Sequence, residues 1–281
     1  MKQNVLALLT DFGQDDFFVA SLKGVITSIN PSVKLVDICH RVSSFDVRQA
    51  GFILFACYRF FPEKTVFLSV VDPGVGSSRK ILAVRTQRYF FVAPDNGLLS
   101  FVLEEEKVLE MRELKNRKYF LPQVSSTFEA RDKMAPAASW LSKGTPLKEL
   151  GPWIDSYQKL EDLRACLKED GIEGSIVYVD KFGNLITNIP LSMVDEFKEK
   201  TGCKSVSLQV KGRKIDTFVN SYSDGKKGEL FFLAGSLGLI EIASRESSAS
   251  KILGPGVRSC IITPVEKSQG SEQGKSGFRS E

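Results

Sequence analysis

Phe67-Leu68-Ser69-Val70-Val71-Asp72-Pro73-Gly74-Val75-Gly76-Ser77-Ser78-Arg79 is the stretch whose reading decides the fold. Phe67 to Val71 is a short apolar run with no alternation of apolar and polar residues, as expected of a strand buried on both faces in a parallel α/β sheet. The chemistry then changes at once to Asp72-Pro73-Gly74. Open α/β sheets place their ligands at the carboxyl ends of such strands. Asp72 therefore falls at a strand tip, and Arg79 returns toward it after a Pro-Gly turn and a second glycine. Read alone, this is either a turn closed by an Asp–Arg pair or part of a site.

Upstream, the same logic repeats. Val5 to Leu9 reads as a first strand ending in Thr10-Asp11-Phe12-Gly13, followed by a helix from about Asp16 to Ile29 that Asn30-Pro31 stops. Lys34 to Ile38 reads as a second strand. Asp46 is a good N-cap for a helix reaching about Tyr58, with Val47, Ala50, Gly51 and Leu54 on one face. Strand, helix, strand, helix, strand predicts a mostly parallel sheet flanked by helices. Downstream, Ile81 to Thr86 and Tyr89 to Val92 read as strands, Leu98 to Leu103 as a short helix and Lys133 to Leu141 as an Ala-rich one, with Asp132 at its N-cap position.

Beyond Gly151-Pro152 the pattern changes. Residues 152–170 read as a polar linker between an N-terminal α/β domain, 1–151, and a smaller C-terminal domain, 171–265. The latter predicts short strands at Gly174 to Val179, Lys204 to Val210, Arg213 to Phe218, Glu229 to Leu233, Leu239 to Ala243 and Arg258 to Thr263, separated by turns such as Lys211-Gly212. Such spacing suits an antiparallel, barrel-like β domain. Residues 266–281 are rich in Ser, Gly, Gln and Lys and read as a disordered tail.

Bulk properties narrow the function. The 281 residues are 42% hydrophobic and 26% charged, as in globular proteins, and no apolar run approaches a membrane span. The net charge of +4 is spread among nearly as many acidic as basic residues, which speaks against a nucleic-acid partner. The five cysteines never pair as C-x-x-C, so neither a disulfide framework nor a zinc site is indicated, and a cytoplasmic setting fits. There is no phosphate loop, and Arg79 stands where a dinucleotide fingerprint needs its third glycine. His40 is the only histidine and no G-x-S-x-G is present, so a Ser-His-Asp hydrolase is hard to build. His40, directly after a strand, is read as a structural hydrogen-bonding residue. What remains is a set of polar strand ends suited to a polar small molecule: Asp11, Asp72 with Arg79, Glu129 with Arg131 and Asp132, and Asp180 with Asn184. For Arg131 and Asp132 a cap or salt bridge is the better reading.

An ordered series of motifs adds a family resemblance. Thr10-Asp11-Phe12-Gly13, Ser44-Phe45-Asp46-Val47-Arg48-Gln49-Ala50, Val71-Asp72-Pro73-Gly74-Val75-Gly76, Ala93-Pro94-Asp95-Asn96-Gly97, Thr127-Phe128-x-x-Arg131-Asp132, Ala135-Pro136-Ala137-Ala138 and Asp180-x-Phe182-Gly183-Asn184-x-x-Thr187-Asn188 occur in this order. The series resembles the S-adenosyl-L-methionine (SAM) hydrolases that form adenosine, also called SAM hydroxide adenosyltransferases, relatives of the SAM-dependent fluorinase and chlorinase. The resemblance runs from about Val5 to Thr263. It implies a homotrimer with SAM bound between subunits, no cofactor, and attack of water or hydroxide on C5′ to give adenosine and methionine. By position, Asp11 would hold the ribose hydroxyls and Phe45 would stack beside the nucleoside. Asp16, Asp180 and Ser236 would hold the methionine portion, and Phe182 and Asn184 would lie at the adenine. Asp72 and Arg79 match two members of the family's water-positioning Asp-Arg-His triad.

The third member differs. Glu129 stands where the family pattern has histidine, and Arg245 stands where relatives usually carry Asn. Two readings of Glu129 remain open at this point. Beside Arg79 its pKa should fall, making it a weaker base and a second carboxylate that stabilises cationic SAM before reaction more than in the transition state. Alternatively, burial raises its pKa and it serves as the base. General acid–base help is worth roughly 10²–10⁴-fold, so the expected activity ranges from a slow hydrolase to a SAM- or adenosine-binding protein that has lost turnover. A halide site beside Asp72 and Glu129 is disfavoured, because an anion would be desolvated next to like charge; the fluorinase has a neutral Tyr at the position of Asp72.

Overall fold

The computed structural model of the protein describes residues 4–122 and 126–265, so the expected tail at 266–281 lies outside the described residues. The chain forms two compact units that meet in sequence between Leu163 and Arg164. In the first, β1 (Val5–Thr10), α1 (Phe17–Ile29), β2 (Lys34–Cys39), α2 (Val47–Cys57), β3 (Val66–Val70), β4 (Ile81–Thr86), β5 (Phe90–Pro94), α3 (Ser100–Glu105), β6 (Val108–Glu113) and α4 (Ala135–Ser142) follow one another. The strands form one sheet in the order β2-β1-β3-β5-β4-β6. Strands β2, β1, β3 and β5 run parallel, and β4 is antiparallel to β5 and β6.

The apolar runs explain the layers. In β1, Leu6 and Leu8 pack with Leu22 and Ile26 of α1 and the alanines of α4, while Ala7 and Leu9 pack with Ala50 and Leu54 of α2. In the deciding stretch, Leu68 and Val70 join the first face and Phe67 and Val71 the second. A strand covered on both faces by helices needs apolar side chains in both directions, so alternation disappears. Helix α2 starts where Asp46 accepts a hydrogen bond from the Gln49 backbone N–H at 2.8 Å. Residues after Gly151 continue onto this unit: Ile154 N–H donates to Met111 O, Gln158 N–H to Asp95 and Leu160 N–H to Ser100 Oγ.

The second unit comprises β7 (Cys166–Leu167), β8 (Ile172–Val179), β9 (Leu185–Pro190), α5 (Leu191–Thr201), β10 (Val206–Val210), β11 (Arg213–Ile215), β12 (Leu230–Ala234), β13 (Leu239–Ser244), α6 (Ala249–Leu253) and β14 (Ser259–Pro264). Its antiparallel sheet has the order β11-β10-β14-β8-β9-β13-β12, with β7 paired to β8. Beyond β11, Thr217 O accepts from Phe232 N–H and Val219 N–H donates to Phe232 O, each at 3.0 Å, so the sheet nearly closes as a barrel. Ile172, Leu208, Phe232, Ile242 and Ile262 fill its interior against Val194 and Phe197 of α5.

Five elements have no counterpart in the sequence reading: β6, β7, β9, α5 and α6. Val108–Glu113 is charge-rich because it is an edge strand whose Glu110 meets Arg85 and Arg112. α5 buries only Val194 and Phe197, too sparse an apolar stripe to stand out. The helix expected from Lys133 begins instead at Ala135, because Ala130–Met134 forms a π-helical turn. Asp132 is therefore no N-cap. It is buried, and Arg131 Nε donates to its Oδ1 at 2.6 Å, the salt bridge that the sequence offered as its other reading.

Candidate active site

Asp72 leaves the end of β3 into a tight turn in which Val75 N–H donates to Asp72 O and Ser77 N–H to Gly74 O. Gly76 sits at φ +79°, and a Cβ there would lie 3.3 Å from Ser126 O, so glycine allows the turn to close against that segment. The turn carries Arg79 back to Asp72. Arg79 Nε donates to Asp72 Oδ1 and Oδ2 at 2.8 and 2.9 Å, and Nη2 donates to Asp72 Oδ2 and, at 2.5 Å, to Glu129 Oε2. All three side chains are at most 8% exposed. The Arg79 guanidinium thus bridges the two carboxylates.

Glu129 precedes the π turn, and Lys133 at its far end donates to Glu129 Oε1. Burial alone would raise the Glu129 carboxyl, but the Lys133 hydrogen bond and the Arg79 charge outweigh it and hold Glu129 below the usual carboxylate range. That direction accords with the reading in which Arg79 lowers the Glu129 pKa. Arg79 is held above its ordinary value: burial opposes the charge, and Asp72 and Glu129 more than compensate. Beside the cluster lies a polar cavity of about 990 Å³ whose lining includes Ser77, Arg79, Glu129 and Lys133.

Asp11 belongs to the same unit. It follows β1, and its Oδ2 accepts from the Phe45 backbone N–H at 3.0 Å. Phe45 has φ +67° and is 69% exposed, so an aromatic ring is presented to solvent from a backbone conformation that a phenylalanine rarely adopts. Phe12, next to Asp11, packs edge-on against Phe128, next to Glu129, at 5.9 Å, tying the Asp11 loop to the Glu129 segment. Asp16 is exposed at the N-cap of α1 without a side-chain capping bond. His40 is buried: Nδ1 lies 2.8 Å from Thr10 Oγ1 and Nε2 lies 3.1 Å from Asp37, which also pairs with Lys23. It secures the tip of β1, in keeping with the structural reading.

The remaining expected residues lie on the second unit. Asp180, after β8, accepts at Oδ1 from the Phe182 and Asn184 backbone N–H groups and at Oδ2 from Asn184 Nδ2, each at 2.9 Å. Gly183 takes φ +86°, where a Cβ would stand 2.0 Å from Ser248 Oγ. Asp180, 70% exposed Phe182 and buried Asn184 line a cavity of about 730 Å³ with Tyr222 and the Ser244–Ser247 segment, including Arg245. Below it, Tyr222 Oη donates to Glu241 Oε2 at 2.5 Å; burial, with the Asp180 charge, raises the Glu241 carboxyl. Ser236 is exposed in the Gly235–Gly238 turn and does not line this cavity.

Residues 6–151 match the family model for the SAM hydroxide adenosyltransferase N-terminal domain, and residues 174–261 that for its C-terminal domain. The chain belongs to the SAM hydroxide adenosyltransferase family. Among curated relatives it is 35% identical over 253 residues to an (R)-S-adenosyl-L-methionine hydrolase of Thermus thermophilus, covering 88% of this chain and 94% of the relative. Against the hydrolase of the same name in Salinispora tropica it is 32% identical, with 90% and 95% covered. A fluorinase of an Actinoplanes species is 31% identical over 212 residues, with 66% and 71% covered. A crystal structure of an uncharacterised Thermotoga maritima protein superposes with a TM-score of 0.84 at 37% identity, covering 92% of this chain and 99% of that one.

As a member of the SAM hydroxide adenosyltransferase family, the chain carries its expected residues in two groups, Asp11, Asp16, Phe45, Asp72, Arg79 and Glu129 on the first unit and Asp180, Phe182, Asn184 and Ser236 on the second. The sequence reading missed Lys133, Tyr222 and Glu241. Lys133 had a signal, since opposite charges four residues apart meet on a helical surface. Tyr222 and Glu241 had none, because their pairing joins a loop to a strand.

Proposed function

We propose that the protein hydrolyses SAM to adenosine and L-methionine. The observation that carries the proposal is the bridging of Asp72 and Glu129 by Arg79 at the carboxyl end of β3, in a chain of this family. Water attacks C5′ on the side opposite sulfur. A C5′–O bond forms as the C5′–S bond breaks, the electron pair leaves with the thioether of methionine, and the sulfonium charge disappears. The water's protons end on adenosine O5′ and, for one of them, in solvent. Asp72, Arg79 and Glu129 orient the attacking water. In the relatives' names the substrate is the (R) form at sulfur, and the same preference is proposed here.

Asp11 binds the ribose hydroxyls and Phe45 stacks beside the nucleoside. Asp16, Asp180 and Ser236 hold the methionine portion, and Phe182 and Asn184 hold the adenine. No cofactor takes part. The protein acts as a cytoplasmic homotrimer with SAM between subunits. Support for these roles comes from their positions in the family motifs, from the exposed Phe45 and Phe182 rings, and from the cavity at Asp180 and Asn184.

Incubation of the purified protein with SAM should yield adenosine and methionine in equal amounts; no product above that of Arg79→Ala sinks the proposal. One observation favours a second reading, a nucleoside-binding protein without turnover: Glu129 is paired with both Arg79 and Lys133, which draws its carboxyl below the usual range and weakens it as a base. That reading predicts calorimetric binding of adenosine with no product.

A further inference from the structure

A bridged Asp–Arg pair is electrically neutral, and a carboxylate added to it is not. A negative residue at position 129 would leave the cluster with one excess negative charge, next to a substrate whose sulfonium is lost in the reaction. An anion there binds the ground state better than the transition state and so lowers turnover. The chain nevertheless carries Glu129, 5% exposed and aimed at Arg79.

Lys133 resolves the imbalance. Its ammonium group meets Glu129 Oε1 while Arg79 meets Oε2, so each carboxylate oxygen has its own cation. The π turn between them brings position 133 under position 129, and the Lys133 side chain is only 22% exposed. Asp72, Arg79, Glu129 and Lys133 together carry no net charge. Across the adjoining cavity stand Glu113, Lys115 and Arg117, of which Lys115 pairs with Glu113 at 3.0 Å.

We propose that Lys133 is a positioning residue for the reaction: it neutralises Glu129, fixes its carboxylate on Arg79, and allows a glutamate to occupy the water-positioning site without trapping the cationic substrate. Lys133 acts through Glu129 and does not touch the reacting atoms. The inference rests on the proposed SAM hydrolysis, with Glu129 near the sulfonium.

The test uses the full chain as Lys133→Met, Glu129→Gln and the double variant. Removing Lys133 alone should lower kcat by roughly tenfold while KM for SAM stays level or falls, as for an uncompensated charge near a partly buried cation. The pH–rate profile should change as well: loss of its main hydrogen-bond donor moves the Glu129 pKa up, and kcat of Lys133→Met should recover as pH falls through that value, because protonated Glu129 is neutral like the glutamine of the double variant. The double variant, again neutral, should recover most of kcat. A merely structural lysine would give equal losses in the single and double variants and no movement of the profile, and that result overturns the proposal.

A second measurement stands apart from turnover. The affinity ratio of SAM to S-adenosylhomocysteine, which lacks the sulfonium charge, should rise in Lys133→Met by roughly tenfold and return in the double variant. An unchanged ratio overturns the proposal even if the wild type hydrolyses SAM. A raised ratio with no wild-type hydrolysis overturns only the proposed reaction. Thermal melts of each variant separate both outcomes from failure to fold.

Discussion

Arg79 Nη2 donates to Glu129 Oε2 at 2.5 Å, joining the turn after β3 to the segment before the π turn across 50 residues of sequence. Through the same guanidinium, Asp72 and Glu129 share one cation while both are nearly excluded from solvent. Breaking a buried pair of this kind leaves an uncompensated charge, which is far more damaging than the net worth of the pair.

Arg79→Ala should therefore destabilise the first unit by about 3 kcal/mol or more and abolish turnover. Arg79→Lys keeps the charge but loses the fork, and should fall between wild type and alanine. Urea titration with an unchanged m-value measures the first effect, and product formation the second. Wild-type stability in Arg79→Ala would contradict the buried geometry.

Glu129 makes the cluster sensitive to acid. Its folded pKa lies below the 4.5 of a free glutamate, so its contribution is complete above pH 4.5 and is lost as pH falls through the lowered value. Melting temperature should drop more steeply in wild type than in Glu129→Gln as pH is lowered below 4.5. Parallel curves would count against an ionised Glu129.

Glu241 has the opposite sign. Burial raises its folded pKa above 4.5, so it binds a proton more tightly in the folded state and weakens folding as pH rises through that window. Glu241→Gln keeps an acceptor for Tyr222 and should stabilise the second unit at pH 7 to 8, with the gain vanishing near pH 4. Melting curves at the two pH values decide it.

Gly183→Ala should cost about 1–3 kcal/mol, because φ +86° is unfavourable for alanine and the new methyl would meet Ser248. Asp180 and Asn184 flank that turn, so adenosine affinity should fall with stability. Calorimetry on the folded variant measures it; unaltered binding would argue that the turn does not shape the cavity.

His40→Ala removes the partner of Thr10 and Asp37 at the tip of β1 and should destabilise by about 1–3 kcal/mol. Since Asp11 follows Thr10 directly, KM for SAM should rise more than kcat falls. An effect confined to kcat would place His40 closer to the chemistry than the structure does.

Much of the fold was legible because burial leaves a local signature. Parallel strands covered on both faces read as mainly apolar runs without alternation, as at Leu6–Leu9 and Phe67–Val71, and Asp46 announced α2. Strand β6 and helix α5 escaped because an edge strand rich in charge and a helix with two buried residues leave little such pattern.

The sequence by itself determined the two-part α/β and β architecture, the family, and the strand-end residues Asp11, Asp72, Asp180 and Asn184, since these depend on local pattern and motif order. Only the tertiary structure decided which charges surround Glu129. Whether a carboxyl gains or loses its proton depends on the balance of desolvation against charges within a few ångströms. Those charges are Arg79, brought from another strand end, and Lys133, brought round by a π turn in place of the expected helix start.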